Sequence, residues 1–223
     1  MSGPIVATVI DPQPAYATDA DFRAYIRDTS TLDADSIHDI LYTASRDVDA
    51  YCGRSFYQAT LTQYFSPEGN DLWILNLDDQ DLASTVGLTV SSQWSNTANY
   101  NIAWTLNVDY IAEPVNQSSA GLAEWPFTKL RALGTKNWPP RYASFYRDTV
   151  KIVGTWGWPS VPDPVVRATL ARAHELWKMQ DALPGGTIGL NGFGPVRLKG
   201  PNTLFTTLLS HYRRGSASTV RVG

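Results

Sequence analysis

The sequence predicts an α+β protein: a small frame of about four helices with a β-rich antiparallel insert between the second and third. Three observations point there. Apolar residues recur at three- and four-residue steps before residue 53 and after residue 163. Between about residue 60 and residue 156 the repeat changes to two, and clusters of turn-forming residues cut that stretch into short pieces. The division expected is 1–59 for the first helices, 60–158 for the insert, 159–214 for the closing helices with a glycine-rich loop at 185–200, and 215–223 for a polar tail.

After a loose, proline-containing start, Thr18-Asp-Ala-Asp21 reads as a helix cap: the Thr18 hydroxyl can accept from first-turn amides, and the acids suit the positive end of the helix dipole. Phe22, Tyr25 and Ile26 follow on one face. A second helix over Asp33 to Cys52 is predicted from Ile37, Ile40, Leu41, Ala44, Val48, Tyr51 and Cys52, with Gly53 as its stop. Its other face carries Asp35, Asp39, Arg46, Asp47 and Asp49, which must meet water or another subunit.

In the insert, Trp73, Leu75 and Leu77 alternate with Ile74 and Asn76. Val86, Leu88 and Val90 alternate with Gly87 and Thr89, and Val150, Ile152 and Trp156 with Lys151 and Val153. Ser66–Asn70, Asp78–Asp81, Asn116–Ser119 and Asn137–Pro140 read as turns. Pro159, Pro162 and Pro164 forbid continuing the last strand, so Trp156, Trp158 and Pro159 are expected to form a structural hinge that wedges the insert against the frame. Asp163-Pro164 then starts a helix with the stripe Val166, Leu170, Ala173, Trp177, ending near Leu183-Pro184. Asn202 caps a last helix carrying Leu204, Phe205, Leu208, Leu209 and Tyr212.

No local pattern supplies catalytic or metal chemistry. His38, His174 and His211 fall on three different helices, and His174-Glu175 is followed by Leu-Trp-Lys where a zinc-protease motif needs its second histidine. The glycines between 185 and 194 follow a helix, whereas a phosphate loop follows a strand; a flexible interface loop fits better. Asp78, Asp79 and Asp81 lack the remaining calcium ligands and read as a solvated turn. Cys52 lies on an apolar stripe and reads as core. No cofactor and no enzymatic activity are expected, although a site assembled from distant residues leaves no local signature.

At 223 residues, the chain suits one core, or a helical core with one inserted subdomain. A single cysteine allows no internal disulfide, and the N-terminus lacks a secretory pattern, so synthesis in the cytoplasm is expected and the Asn116-Gln-Ser118 sequon is read as chance. Eight Trp and eleven Tyr exceed what a core of this size needs, which places some at interfaces. Charge is unevenly spread: residues 1–60 hold nine acids and four bases, 61–163 ten and six, and 164–223 two and eight. Solvated faces account for such a bias, as does head-to-tail contact between subunits or docking of the basic end on an acidic neighbour.

The order of motifs resembles the adaptor proteins of tailed bacteriophages, the ring below the portal. The resemblance rests on Tyr16–Tyr25 as a short opening helix, Ala44–Arg54 as a helix ending in Gly-Arg, and Val108–Val115 followed by Pro126–Arg131 as strand-turn-strand. Val150–Pro159 then closes the insert in a Gly-Trp-Pro turn, and Pro195-Val-Arg197 and Leu209–Arg214 form the C-terminal part. It implies a virion protein of the neck that forms a ring of about a dozen subunits, binds the portal and a tail-side connector or stopper, and lets DNA through its lumen without sequence-specific binding. The portal or subunit interface is then expected at Ile188, Leu190, Phe193, Arg197, Tyr212, Arg213, Arg214 and Arg221, and lumen or subunit contact at Asp35, Asp39, Asp47 and Asp49. A head-closure or tail-completion protein of the same neck is the alternative; a Trp-rich carbohydrate-binding or host-recognition module is a second.

Overall fold

Helices form where the apolar period is 3.6 and strands where it is two. The structure, a computed structural model, describes residues 13–27, 33–69, 71–77, 80–94, 99–115, 125–141, 148–181 and 203–214. The described residues divide into a helical unit, from Gln13–Ser55 together with those from Val161 to Asp181 and Thr203 to Arg214, and a β unit within Phe56–Ser160. The architecture is α+β.

The helical unit contains α1 (Asp19–Ile26), α2 (Ala34–Cys52), α3 (Asp163–Asp181) and α4 (Thr203–Leu209). At α1, Thr18 accepts from the Asp21 amide while the Asp21 carboxylate accepts from the Thr18 backbone, a reciprocal capping box. Ile37, Ile40, Leu41, Ala44, Val48 and Cys52 of α2 are buried as their spacing predicts, and Gly53 closes the helix at φ +65°. Of these, Ile37, Ile40, Leu41 and Ala44 meet Phe22 of α1 and Leu170 and Ala173 of α3 in one cluster. Helix α3 is buried more widely than its predicted stripe. Val165, Ala168, Thr169 and Ala171 are also inside, because α3 packs on α1, α2 and α4 together.

The β unit holds a four-stranded antiparallel sheet in the order β1 (Ala59–Phe65), β7 (Val150–Trp156), β3 (Leu82–Ser92), β4 (Ile102–Trp104). A second sheet is ordered β2 (Ile74–Asn76), β6 (Lys129–Ala132), β5 (Tyr110–Glu113). Both contribute to a single core in which Trp104, Trp138 and Trp156 join Leu75, Leu77, Leu82, Leu130 and Ile152.

Two expectations, for Val86 and Trp73, fail here. Val86 does not share a buried face with Val90: the β3–β7 register jumps between Ser84 and Thr89, Gly87 sits at φ +72°, and Val86 is 83% exposed. Trp73 precedes β2 and is exposed. The Asn137–Pro140 turn buries its tryptophan, with Trp138 stacked on Trp104 at 4.0 Å and its Nε1–H donated to Leu130 O at 3.3 Å.

Candidate functional site

The C-terminal arginines lie against the carboxyl end of α2. α4 stops at Leu209, and the amides of Tyr212 and Arg213 then donate to Leu209 O at 2.9 and 3.1 Å. The Arg214 amide donates to Cys52 O at 2.9 Å, and the Arg213 guanidinium lies 5.5 Å from the Tyr51 ring centroid. Tyr51 in turn meets the edge of Phe205 at 5.4 Å. Two basic residues at the negative end of a 19-residue helix are favoured by its dipole. The positive charge expected at the end of α4 is thus partly engaged inside the unit, with Arg213 exposed and Arg214 half-buried. Burial pushes the Tyr212 phenol up, and pushes the Cys52 thiol up to about 12, which leaves it without nucleophilic character at neutral pH.

The acidic face of α2 separates into two parts. Asp35 and Asp39 are exposed, with Asp39 3.9 Å from His38. Asp47 and Asp49 are instead engaged within the unit. Asp47 accepts from Arg172 of α3 at 2.7 Å, and Arg172 also reaches Glu175 at 3.3 Å. Asp49 accepts from the Tyr16 hydroxyl and pairs with Arg46 at 3.2 Å; its burial pushes the carboxyl up to about 6. Arg46 continues to Gln13 Oε1 and, at 3.4 Å, to Pro14 O, and it covers the Tyr16 ring at 5.4 Å. Ser45 accepts the Tyr16 amide at 3.0 Å and donates to Leu41 O at 2.7 Å. Gln13–Ala17 is therefore strapped along α2 by a polar catch. Only Asp35 and Asp39 of the predicted acids present an open carboxylate face.

Trp156 and Trp158 are buried in the β unit. Trp156 donates its Nε1–H to Leu61 O at 3.0 Å and packs on Phe65. Trp158 lies on Phe56 and Trp125 and donates to Asp81 Oδ2 at 3.2 Å. Asp81 is thereby corrected from a solvated turn to a buried anchor; its backbone O also accepts the Gly157 amide at 2.7 Å. Gly157 sits at φ +107°, where an added Cβ would fall 1.8 Å from Tyr57 O. Pro159 O accepts Gln58 Nε2–H at 2.6 Å.

His174 stacks on Trp177 and meets Tyr25 edge-on, and burial pushes its imidazole down. Among the described residues no group of three His, Cys, Asp or Glu is placed to hold a metal ion, and no helix is long and apolar enough to cross a membrane. Ile188, Leu190, Phe193, Arg197 and Arg221 lie outside the described residues.

No protein-family model matches the sequence, and no curated protein matches it. Among solved structures, a chain in "Neck of empty GTA particle computed with C6 symmetry" is similar at TM-score 0.50 and 12% identity, over 88% of each chain. A chain in "Neck of native GTA particle computed with C12 symmetry" aligns at TM-score 0.49 and 12% identity, over 88% of this chain and 87% of that one. The fold, with its β unit set between α2 and α3, is thus one that also occurs in the neck of a GTA particle.

Proposed function

We propose that this chain is a non-enzymatic structural protein of the neck of a tailed-phage-like particle: an adaptor whose copies close into a ring, join portal to tail and leave a lumen for DNA. The observation that carries this reading is the shared fold. It spans 88% of both chains, so the helical unit and the inserted β unit are similar together to a protein placed in a particle neck. The motif order described above supports the same reading independently.

On this reading the exposed Arg213, with the tail through Arg221, docks on the portal, while Asp35 and Asp39 face the lumen or the next subunit. Carboxylates toward the lumen repel phosphate and let DNA slide; a row of arginines there would retain it in a salt-dependent way. Ile188, Leu190, Phe193 and Arg197 belong to the same interface. The test is joining of purified chain to portal-bearing heads. Removal of residues 215–223 is expected to leave a folded chain that does not join. Arg213→Glu is expected to weaken joining more at low salt than at high salt. Full, salt-insensitive joining by both variants would remove portal docking. The carbohydrate-binding alternative rests on the exposed Trp73 and Trp94, since Trp104, Trp138, Trp156 and Trp158 are buried in the β unit. A monomer whose fluorescence responds to polysaccharide would favour it.

A further inference from the structure

Four strand edges border the two sheets, and one of them differs from the rest. β4 and β2 are three residues long and β5 four, ending in Glu113 with Pro114 next. Short edges, charges and prolines are the usual protection against an incoming strand. β1 has none of these. It runs seven residues, Ala-Thr-Leu-Thr-Gln-Tyr-Phe, without charge or proline, and pairs with β7 in unbroken register from Ala59↔Trp156 to Phe65↔Val150. Among the described residues only β7 pairs with it. Leu61, on its inner face, is only partly buried against the core.

A segment with the matching chemistry lies at the start of the chain. Ile5-Val-Ala-Thr-Val-Ile10 is six residues with five β-branched side chains and no charge, bounded by Pro4 before it and by Asp11-Pro12 after it. It has strand propensity on both faces: one apolar row can continue the core beside Leu61, and the other can cover Thr60 and Thr62. The described chain begins directly after it, where Gln13, Pro14 and Tyr16 are fastened to α2 by Arg46, Asp49 and Ser45. Pro12 and Pro14 bias the linker between strap and segment toward an extended course.

We propose that Ile5–Ile10 of one copy adds as a strand to the β1 edge of a neighbouring copy, so that subunits are linked by main-chain hydrogen bonds. The proposal rests on the ring reading above and supplies its subunit contact. Strand addition takes affinity from the backbone and selectivity from alternate side chains, which suits an edge that offers no charge for recognition.

The test uses full-length chains carrying one new cysteine each, Thr8→Cys in one and Thr62→Cys in the other, mixed and treated with a short bismaleimide; buried Cys52 stays unreacted. Cross-linked dimers from the mixture, and none from either chain alone, are expected. Deleting residues 2–10 is expected to leave the far-ultraviolet spectrum folded and weaken self-association at least about tenfold. A chain carrying both cysteines that links only within itself would show that the segment covers its own edge and overturn the proposal. So would a deletion variant that assembles like wild type. If wild type assembles while no cross-link forms, the strand contact alone falls. If wild type stays monomeric at every concentration, the ring reading falls and the contact with it.

Discussion

At Gly157 a single methyl decides whether the Gly-Trp-Pro turn can close. With φ at +107° and Tyr57 O 1.8 Å from the would-be Cβ, Gly157→Ala is expected to cost at least about 3 kcal/mol, read as a fall in melting temperature. Trp156→Ala, which empties a core site and orphans Leu61 O from its indole partner, is expected to cost ~3–5 kcal/mol. Exposed Trp73→Ala should stay within ~0.5 kcal/mol. Equal melting temperatures for wild type and Trp156→Ala would contradict the placement of that ring. Asp49 sets a pH dependence of definite sign. Its folded-state value, about 6, lies above the ordinary 3.8, so the folded chain holds that proton more tightly than the unfolded one. The stability it contributes is full below about pH 3.8 and is lost as pH rises through about 6. Asp49→Asn, which keeps an acceptor for Tyr16 without the charge, should flatten that part of the stability–pH curve; an unchanged slope would refute the assignment.

At the scale of elements, local periodicity specifies much and pairing little. The buried row Ile37–Ile40–Leu41–Ala44–Val48–Cys52, the Thr18 cap and the Gly53 stop are each decided by neighbours within four residues, so they are legible in sequence. The β3 excursion at Thr85–Leu88 is not: alternation continues through it, and only the mismatch against β7 turns Val86 outward. Likewise Asp47 and Asp49 look like members of one free acidic row until Arg172, 125 positions away, and Tyr16, 33 positions away, are brought beside them. The burial of Asp81 under Trp158, 77 positions on, depends on the same kind of distant contact. The Asp47–Arg172 pair joins α2 to α3 with both side chains about one-third exposed. A double-mutant cycle with Asp47→Ala and Arg172→Ala should therefore give a coupling of only about 0.5–1 kcal/mol, reduced by salt. A coupling near zero at low salt would remove the pair as a fastener between the helices.

For the whole molecule, the helical unit supplies a basic end at Arg213 and exposed carboxylates at Asp35 and Asp39, and the β unit an uncharged strand, β1, that among the described residues lies at the sheet edge. Unlike surfaces of this kind allow copies to meet head to tail and close. The neck role predicts where those copies sit. A cryo-EM map of the neck in an intact particle tests it most directly: the expected result is a closed ring of about a dozen copies of this fold between portal and tail, with an open lumen. A neck map in which this fold is absent, or in which it appears as single copies away from the axis, would contradict it.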